Sequence, residues 1–465
     1  MRSRILTGAL GVSAALWLAG CSDDTTAPRT EPAPPTSAPV ALAITPEQAA
    51  QVRQLAAAAG ITALARPATV RPELMRLGQA LAFDKVLSGN RDISCMTCHL
   101  APSATVDLRS VAIGTGGTGL GLARTHPQGT FVHRSAPPLF NLHATNVLTW
   151  DGRVFLNTAT GVVRTPQVSL VPAERAVLEF GPLSALPMFP VLSRVEMRGT
   201  TGNELAKIAD GSPRNTWKAL MRRLGAIPQY RTMFEAAYPG VPFDSMTFAH
   251  AGNAMGGWIA GAFASNNSPW DRFLAGQDNA LTDQQLRGAT VFLSGARCSK
   301  CHNGPLLSDG KFHNVLVPQV GPGFGDGPTG HDDFGRMRVS KNVLHKYQFR
   351  TPPLRNVELT APYGHDGAIT TLRGWVAHYS DADLKLQSYD PSQLEPLLQG
   401  TLQPTAADIL ATRDFRLNKL KISAQTVDDI TAFLQALTDP GARDLSRFVP
   451  DSVPSGLPVD RLPTP

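Results

Sequence analysis

The pattern Cys-x-x-Cys-His occurs twice in this chain of 465 residues, at positions about 200 residues apart. The two copies, called the first motif and the second motif below, contain Cys95, Cys98 and His99, and Cys298, Cys301 and His302. Thiols at this spacing can form thioethers to the two vinyl groups of one haem, and the adjacent imidazole can bind the iron. The sequence therefore predicts two covalently bound haem c groups.

Two other uses of a Cys-x-x-Cys pair are a zinc site and a redox dithiol. A zinc ribbon places its two pairs about 15–20 residues apart, far closer than the pairs in this chain. These alternatives are therefore the weaker hypotheses. The chain has five cysteines, and the one outside the motifs is Cys21, so no cysteine is left for a disulfide.

The first residues have the pattern of a lipoprotein signal. Arg2 and Arg4 precede an apolar stretch, residues 5–18, and Cys21 follows in the sequence Leu-Ala-Gly-Cys. This pattern predicts cleavage after residue 20 and lipidation of Cys21. A plain secretory signal or a single membrane span is the alternative, but the stretch is short for a span. Ser22 favours outer-membrane sorting, so we expect a periplasm-facing lipoprotein that meets the membrane only through its lipid anchor.

The formal net charge is +6, and removal of Arg2 and Arg4 with the signal lowers it from +6 to +4. The propionates of two haems would bring the protein close to neutral. The charge therefore gives no indication of nucleic-acid binding.

Helix signals dominate the remaining chain, and strand-like alternation is scarce. Thr45 and Thr282 each begin a capping box, and apolar residues recur at helical spacing over 427–437. We predict an all-α fold of two cytochrome-c-like haem domains with long irregular loops. The predicted parts are a signal peptide (1–20), a disordered tether (21–45), an N-terminal haem domain (46–270), a C-terminal haem domain (271–445) and a disordered tail (446–465).

Several short strings around the motifs occur in the order known from one family. They are residues 77–84, 87–90, 150–153, 196–197, 268–272, 298–305, 353–357 and 360–367. Over about residues 77–440 the chain thus resembles the bacterial dihaem cytochrome c peroxidases, including the MauG branch.

The resemblance implies a peroxide site at the haem bound by His99. Glu196 would be its acid–base group, Pro190 a wall of its pocket, and Trp150 the electronic bridge between the haems. Leu186 stands where the family carries glutamine, and an insertion lies between Arg153 and Ala185. Classical members also carry a histidine that closes this site reversibly. The histidines of this region lack the expected spacing, so we expect an open site; they are His126, His133 and His143.

The resemblance also suggests a second ligand for the haem of His302. Tyr379 lies where classical peroxidases place methionine and MauG places tyrosine, and neighbouring His378 is the rival. Thr360 and Pro362 match positions whose carbonyl oxygens hold calcium in the family. Ser135 replaces the asparagine that completes that site, so calcium is an open expectation.

The activity implied is reduction of hydrogen peroxide, with electrons relayed from the C-terminal to the N-terminal haem. The donor would be a small protein, either a cytochrome or a cupredoxin. One alternative is a MauG-like oxidase that modifies Trp or Tyr of a partner protein substrate. Another is a non-enzymatic dihaem cytochrome that only transfers electrons.

Overall fold

Helices make up most of the regular structure. The computed structural model describes residues 44–417 and 422–462. Within these ranges the helices before the second motif are α1 (Pro46–Ala58), α2 (Pro72–Phe83), α3 (Cys95–Cys98), α4 (Pro172–Ala176), α5 (Pro182–Ala185), α6 (Pro213–Gly225), α7 (Pro228–Ala237), α8 (Phe248–Ala262), α9 (Pro269–Leu274) and α10 (Asp283–Leu293). Those after it are α11 (Arg336–Ser340), α12 (Leu372–His378), α13 (Ala382–Gln387), α14 (Pro396–Gln399), α15 (Ala406–Ala411) and α16 (Ala424–Gln435). Among these described helices, none has the length and apolar character needed to cross a membrane.

The strands in the described ranges are short. They are β1 (Val147–Leu148), β2 (Val154–Asn157), β3 (Val162–Arg164), β4 (Phe312–His313) and β5 (Phe349–Arg350). The first three form an antiparallel sheet in which Phe155 lies opposite both Val147 and Arg164. β4 and β5 form a separate antiparallel pair. β2 and β3 lie in the insertion between Arg153 and Ala185. Because the strands are so few and short, the fold is mainly helical, and the all-α prediction is confirmed.

Two helices begin where the capping boxes predict. The backbone N–H of Thr45 donates to Gln48 Oε1 at 3.0 Å, and Thr45 Oγ1 accepts the backbone N–H of Gln48 at 3.3 Å. The same reciprocal pair joins Thr282 and Gln285 at the start of α10. Each pair satisfies backbone donors that the first helical turn leaves free. Both predicted helix starts are confirmed.

Each motif lies next to a closely packed pair of helices. α2 packs on α8, where a Cβ added at Gly78 would lie 2.0 Å from the carbonyl oxygen of Ala254. α10 packs on α16, where a Cβ at Gly288 would lie 1.9 Å from the carbonyl oxygen of Asp429. Only glycine permits such an approach of two backbones. Residues of α2 and α8 belong to one large apolar core, called the first core below, and residues of α10 and α16 belong to another, called the second core.

Each end of the described chain packs on the core at the far end of the sequence: α1 on the second core, and the residues after α16 on the first. α1 buries Ala49, Val52 and Ala56 in the second core, against α10, although the predicted domain limits placed it with the first. Its small buried residues allow this close contact. At the other end of the described chain, Leu445 and Val453 are buried in the first core. The boundary between the haem domains at residue 270 stays a prediction.

The prediction of a disordered tail is wrong for residues 446–462. Val453 is buried in the first core, and Asp460 Oδ1 lies 2.6 Å from Lys85 Nζ. The composition, poor in charge and rich in proline, resembles that of a disordered segment. Proline, however, also lowers the conformational entropy of the unfolded segment. Less entropy is therefore lost when the segment becomes ordered, and a few buried apolar residues are enough to hold it in place. The predicted signal peptide, Cys21 and nearly all of the tether lie outside the described residues.

Candidate active site

The first motif forms one helical turn, α3, that ends at its histidine. The backbone N–H of Ser94 donates to Thr97 Oγ1 at 2.9 Å and fixes the start of the turn. His99 Nδ1 lies 3.1 Å from the carbonyl oxygen of Thr105. Because a carbonyl only accepts, Nδ1 carries the proton and Nε2 keeps a free lone pair. This is the tautomer that an axial iron ligand requires.

The motif thiols are free, and their surroundings are unsuited to thiol redox chemistry. Burial raises the pKa of Cys95 to about 11 and that of Cys298 to about 12. Redox-active cysteines have lowered pKa values, so the redox-dithiol alternative is disfavoured. Among the described residues, the group of potential metal ligands at the motifs consists of Cys301, Asp309 and His313, and it does not include Cys298, the other thiol of the same motif.

A cavity of about 500 Å³ surrounds the first motif. It is lined by Cys95, Cys98 and His99, and most of its other walls are apolar. Leu186 and Pro190 lie on these walls. Further apolar residues of the lining are Ile93, Met96, Leu139, Leu148, Met255 and Trp258. Its size and apolar character suit a flat macrocycle held at one edge by two thioethers.

Glu196 lines the same cavity as His99. It lies in a single π-helical turn, Arg194–Arg198, a type of turn that occurs frequently at functional sites. Burial raises the pKa of Glu196, and the positive charge of Arg153 partly opposes this effect. The carboxyl group therefore holds its proton to a higher pH than an exposed glutamate does.

Two neighbouring segments hold the backbone of this turn. The N–H of Gly89 donates to the carbonyl of Met197 at 2.7 Å, and the N–H of Thr115 donates to the carbonyl of Glu196 at 2.8 Å. A Cβ at Gly114 would lie 1.9 Å from the carbonyl oxygen of Val195. The lack of a side chain at this position thus lets the backbone approach the turn and fix Glu196.

A chain of ion pairs runs beside Glu196. Asp151 Oδ2 lies 2.9 Å from the Nη2 atom of Arg153 and 2.8 Å from the Nη1 atom of Arg134. Arg134 also pairs with Asp333 at 2.6 Å. Although burial favours the neutral acid, Arg134 and Arg153 outweigh it and hold the pKa of Asp151 well below its usual range. Arg153 is thus fixed as a cation on the cavity wall.

Of the three histidines considered above, His133 lines the first cavity, whereas His126 and His143 do not. The ring of His133 stacks on Phe324 with centroids 4.1 Å apart, and its Nδ1 lies 2.5 Å from the carbonyl oxygen of Gly323. These contacts hold the ring against the loop that follows the second motif. The absence of a switchable histidine ligand stays a prediction.

The second motif repeats the arrangement of the first. His302 Nδ1 lies 2.9 Å from the carbonyl oxygen of Leu307, so Nε2 is again the free nitrogen. Burial lowers the pKa of His302 to about 4, which keeps its imidazole neutral at physiological pH. A second cavity of about 180 Å³ is lined by Cys298, Cys301 and His302.

The two candidate second ligands of this site differ in where they lie. Tyr379 lines the second cavity, and burial raises the pKa of its phenol. His378 is buried but does not line the cavity, and its Nε2 lies 2.7 Å from the carbonyl oxygen of Val315. The imidazole of His378 is therefore engaged elsewhere, whereas the phenol of Tyr379 faces the space beside the second motif.

The predicted calcium residues lie at the second cavity. Thr360 and Pro362 both line it, and so does Ser135. The backbone N–H of Ser135 donates to the carbonyl of His365 at 2.9 Å. The structure thus brings the matching positions to one region.

Trp150 lies at the junction of the two cavities. It lines both of them, together with Ser135, Ala136, Pro138 and Arg350. Its indole Nε1–H donates to the carbonyl of Ser135 at 3.1 Å. The indole is thereby fixed between the two motifs.

Arg350 was missed by sequence reasoning, because no motif contains it. Its side chain is buried and donates to the backbone carbonyls of Thr149 at 3.0 Å and Thr351 at 3.4 Å. Within the described ranges it makes no ion pair, and burial lowers its pKa to about 10. A buried cation without a carboxylate is costly unless an anion completes the site. The haem propionates are anions of the right kind, so the residues at both cavities fit haem.

Two apolar cavities, each with a pair of free thiols and a histidine with a free Nε2, define a c-type cytochrome with two haem sites. Comparisons with known proteins agree. Residues 72–279 match the family model described as di-haem cytochrome c peroxidase. The cytochrome c551 peroxidase of Pseudomonas aeruginosa is 30% identical over 316 residues, 67% of this chain and 72% of that protein.

Two further proteins are similar. The methylamine utilization protein MauG of Methylorubrum extorquens is 26% identical over 310 residues, which cover 66% of this chain and 69% of that protein. A solved structure of a MauG-like protein associated with microbial copper homeostasis has a TM-score of 0.58 and 25% identity, covering 83% of this chain and 96% of that one.

The chain belongs to the di-haem cytochrome c peroxidase family, which includes MauG. The resemblance stated from the sequence is thereby confirmed, and so are the two haem c groups. The protein is an oxidoreductase of the di-haem peroxidase type. The alternative of a non-enzymatic electron carrier is set aside.

Proposed function

We propose that this protein reduces hydrogen peroxide in the first cavity, with electrons that enter through the second haem site. The observation that carries the proposal is that Glu196 and His99 line one cavity. When bound, the two haems supply the redox chemistry. The chain would supply the imidazoles of His99 and His302 as iron ligands, the cysteines that form the thioethers, and a proton-transfer group.

Glu196 is the proposed acid–base residue. Cleavage of the O–O bond needs a group that takes a proton from one peroxide oxygen and delivers it to the other. A carboxyl group whose pKa is raised by burial suits both steps, because it accepts a proton more readily than an exposed glutamate does and can then deliver it. The fixed cation Arg153 prevents the pKa from rising further.

Trp150 is the proposed electronic bridge. Its indole forms part of the wall of both cavities, and its N–H is held by the carbonyl of Ser135. A rigid aromatic ring between two redox sites shortens the distance that an electron crosses through saturated groups. The proposed donor is a small cytochrome or cupredoxin.

A MauG-like oxidase is the second candidate function, and Tyr379 is the observation that favours it. The phenol lines the second cavity where classical members place methionine. A hard oxygen ligand stabilises higher oxidation states of iron, whereas a thioether favours the reduced form. The protein would then oxidise Trp or Tyr side chains of a partner protein.

Two further proposals concern the surroundings of the enzyme. From the sequence of residues 1–21 we propose a lipoprotein anchored through Cys21 in the outer membrane, facing the periplasm. We also propose that backbone oxygens of Thr360 and Pro362 contribute to one calcium site. Removal of calcium by a chelator should then change the spectrum of the second haem.

The main test is Glu196→Gln, with Glu47→Gln as the matched control on an exposed part of α1. We expect Glu196→Gln to keep both haems and to slow peroxide reduction by roughly 10²–10⁴-fold. The Glu47 variant should behave like the wild type. Peroxide turnover is measured with a reduced cytochrome as donor, and haem content by mass spectrometry. A Glu196 variant within a few-fold of the wild type excludes the acid–base role.

A further inference from the structure

The last described residues return to the first haem motif. Residues 450–461, called the C-terminal strap below, lie along the first core. Val453 is buried there, and Leu457 and Val459 pack against the same core. Arg461 closes the strap, because its guanidinium donates to the carbonyl of Pro450 at 2.6 Å.

The first polar anchor of the strap is Ser455. Its hydroxyl donates to Asp84 Oδ1 at 2.6 Å, and its backbone N–H donates to Asp84 Oδ2 at 3.2 Å. Asp84 is fully buried and also accepts the hydroxyl of Tyr230 at 2.7 Å and the backbone N–H of Val86 at 2.9 Å. The strap thus completes a buried carboxylate site at the end of α2.

The second polar anchor is Asp460, which reaches the first motif itself. One carboxylate oxygen lies 2.6 Å from Lys85 Nζ, and the other accepts a hydrogen bond from Thr97 Oγ1. Thr97 is fully buried and lies between the two haem cysteines. Its hydroxyl oxygen also accepts the N–H of Ser94 that begins the motif turn. Asp460 therefore fixes the hydroxyl that holds the turn together.

The segment held by the strap also reaches the turn that carries Glu196. Asp84 and Lys85 begin this segment, and four residues after Lys85 the N–H of Gly89 donates to the carbonyl of Met197 at 2.7 Å. Farther along, Asn90 Oδ1 accepts a side-chain N–H of Asn203 at 2.8 Å. One continuous stretch thus contacts the strap, the π-helical turn and, through Ser94, the first motif.

We propose that Asp460 is a positioning residue that sets the orientation of the first haem motif relative to Glu196. Hydrogen bonds to a charged carboxylate are stronger than neutral ones, so the contact between Asp460 and Thr97 is a firm restraint. Small displacements between a reacting centre and its acid–base group have large effects on rate. The inference rests on the proposed function, because it takes the cavity at His99 as the peroxide site.

The test compares Asp460→Asn and Thr97→Val with Asp451→Asn. Asp451 lies on the same strap and pairs with Arg461, but its side chain is fully exposed. Asp460→Asn keeps an acceptor for Thr97 and removes the ion pair with Lys85, whereas Thr97→Val removes the hydroxyl. Ferric EPR and absorption spectra of the holoprotein are recorded well below the unfolding temperature. The rate constant for the reaction of the holoprotein with hydrogen peroxide is then measured.

We expect Asp460→Asn and Thr97→Val to change the spectrum of the first haem and to leave that of the second haem unchanged. The rate constant for peroxide should fall by about tenfold in both. Asp451→Asn should match the wild type. Asp460→Glu keeps a carboxylate, so its first-haem spectrum should be closer to that of the wild type than the spectrum of Asp460→Asn is. If either test variant fails to fold, Lys85→Met takes its place, with the same expected change at the first haem.

Three results would overturn the proposal. They are an unchanged first-haem spectrum in all test variants, an equal change in Asp451→Asn, and a loss of thermal stability with no change at either haem. The spectra do not depend on turnover. A wild-type protein that fails to reduce peroxide, together with the expected spectral change, would therefore refute the proposed function and leave the positioning role intact.

Discussion

The backbone N–H of Arg350 donates to the carbonyl of Trp150 at 2.7 Å, at the junction of the two haem cavities. Both side chains line both cavities. Trp150 belongs to a sequence string of the family, whereas Arg350 lies in β5, more than a hundred residues after it. An aromatic ring and a buried cation thus share the space between the haem sites.

Arg350→Met should lower the reduction potentials of the haems. The guanidinium is a buried positive charge without a carboxylate partner in the described ranges, so it stabilises the added electron. Redox titration followed by absorption spectroscopy measures the change. The control is Arg336→Met, because Arg336 is a half-buried arginine that lines neither cavity. Equal potentials in wild type and Arg350→Met would contradict the assignment of Arg350 to the haem propionates.

Trp150→Phe should slow electron transfer between the haems and leave the first encounter with peroxide unchanged. Phenylalanine keeps an aromatic ring but removes the indole and its N–H bond to Ser135. We expect steady-state turnover to fall by about tenfold, or ~1.4 kcal/mol in barrier height. Stopped-flow spectra separate the two steps. Slower peroxide binding with unchanged transfer between haems would mean that Trp150 only shapes the first cavity.

The rate constant for peroxide should decrease as the pH falls through the raised pKa of Glu196. Below that pKa the carboxyl is protonated and cannot accept the proton of peroxide. Because burial raises the value, this decrease should occur above pH 4.5, the ordinary value for glutamate. A pH series by stopped flow measures it. The decrease should be absent in Glu196→Gln, and its persistence there would assign it to another group.

Gly114→Ala should displace the turn that carries Glu196. The new Cβ would lie 1.9 Å from the carbonyl oxygen of Val195, so the backbone must move. Such overpacking costs about 1–3 kcal/mol of unfolding free energy. The peroxide rate constant should also decrease. Gly211→Ala is the control, since no atom lies within 4 Å of a Cβ there. Wild-type rates in Gly114→Ala would show that the position of the turn is not critical.

Tyr379→Phe should change the low-spin ferric EPR signal of the second haem and raise its reduction potential. The phenyl ring fills the same space but offers no oxygen to the iron. His378→Gln is the matched variant, since the side-chain amide of glutamine can replace the contact that His378 Nε2 makes with the carbonyl of Val315. It should leave the signal unchanged. Loss of the signal only in the His378 variant would assign the ligand to histidine.

Local sequence was sufficient for several features of this protein. The cysteines and the histidine of each motif lie within five consecutive positions, so their geometry follows from one turn of backbone. The capping boxes at Thr45 and Thr282 span four residues each and were confirmed for the same reason. The prediction of Glu196 and Pro190 as site residues depended on the order of the short strings shared with the family, since neither residue is distinctive by itself.

The sequence alone thus determined two haem sites, a mainly helical fold and the family, because each depends on neighbouring residues or on their order. Only the tertiary structure revealed that Thr105 and Leu307 orient the histidines of the two motifs and that Arg350 is buried with no carboxylate partner among the described residues. It also showed that residues 446–462 pack on the first core, against the expectation of disorder. These contacts join positions far apart in the chain, and burial, which sets their energy, is a property of the packed molecule and not of any local segment.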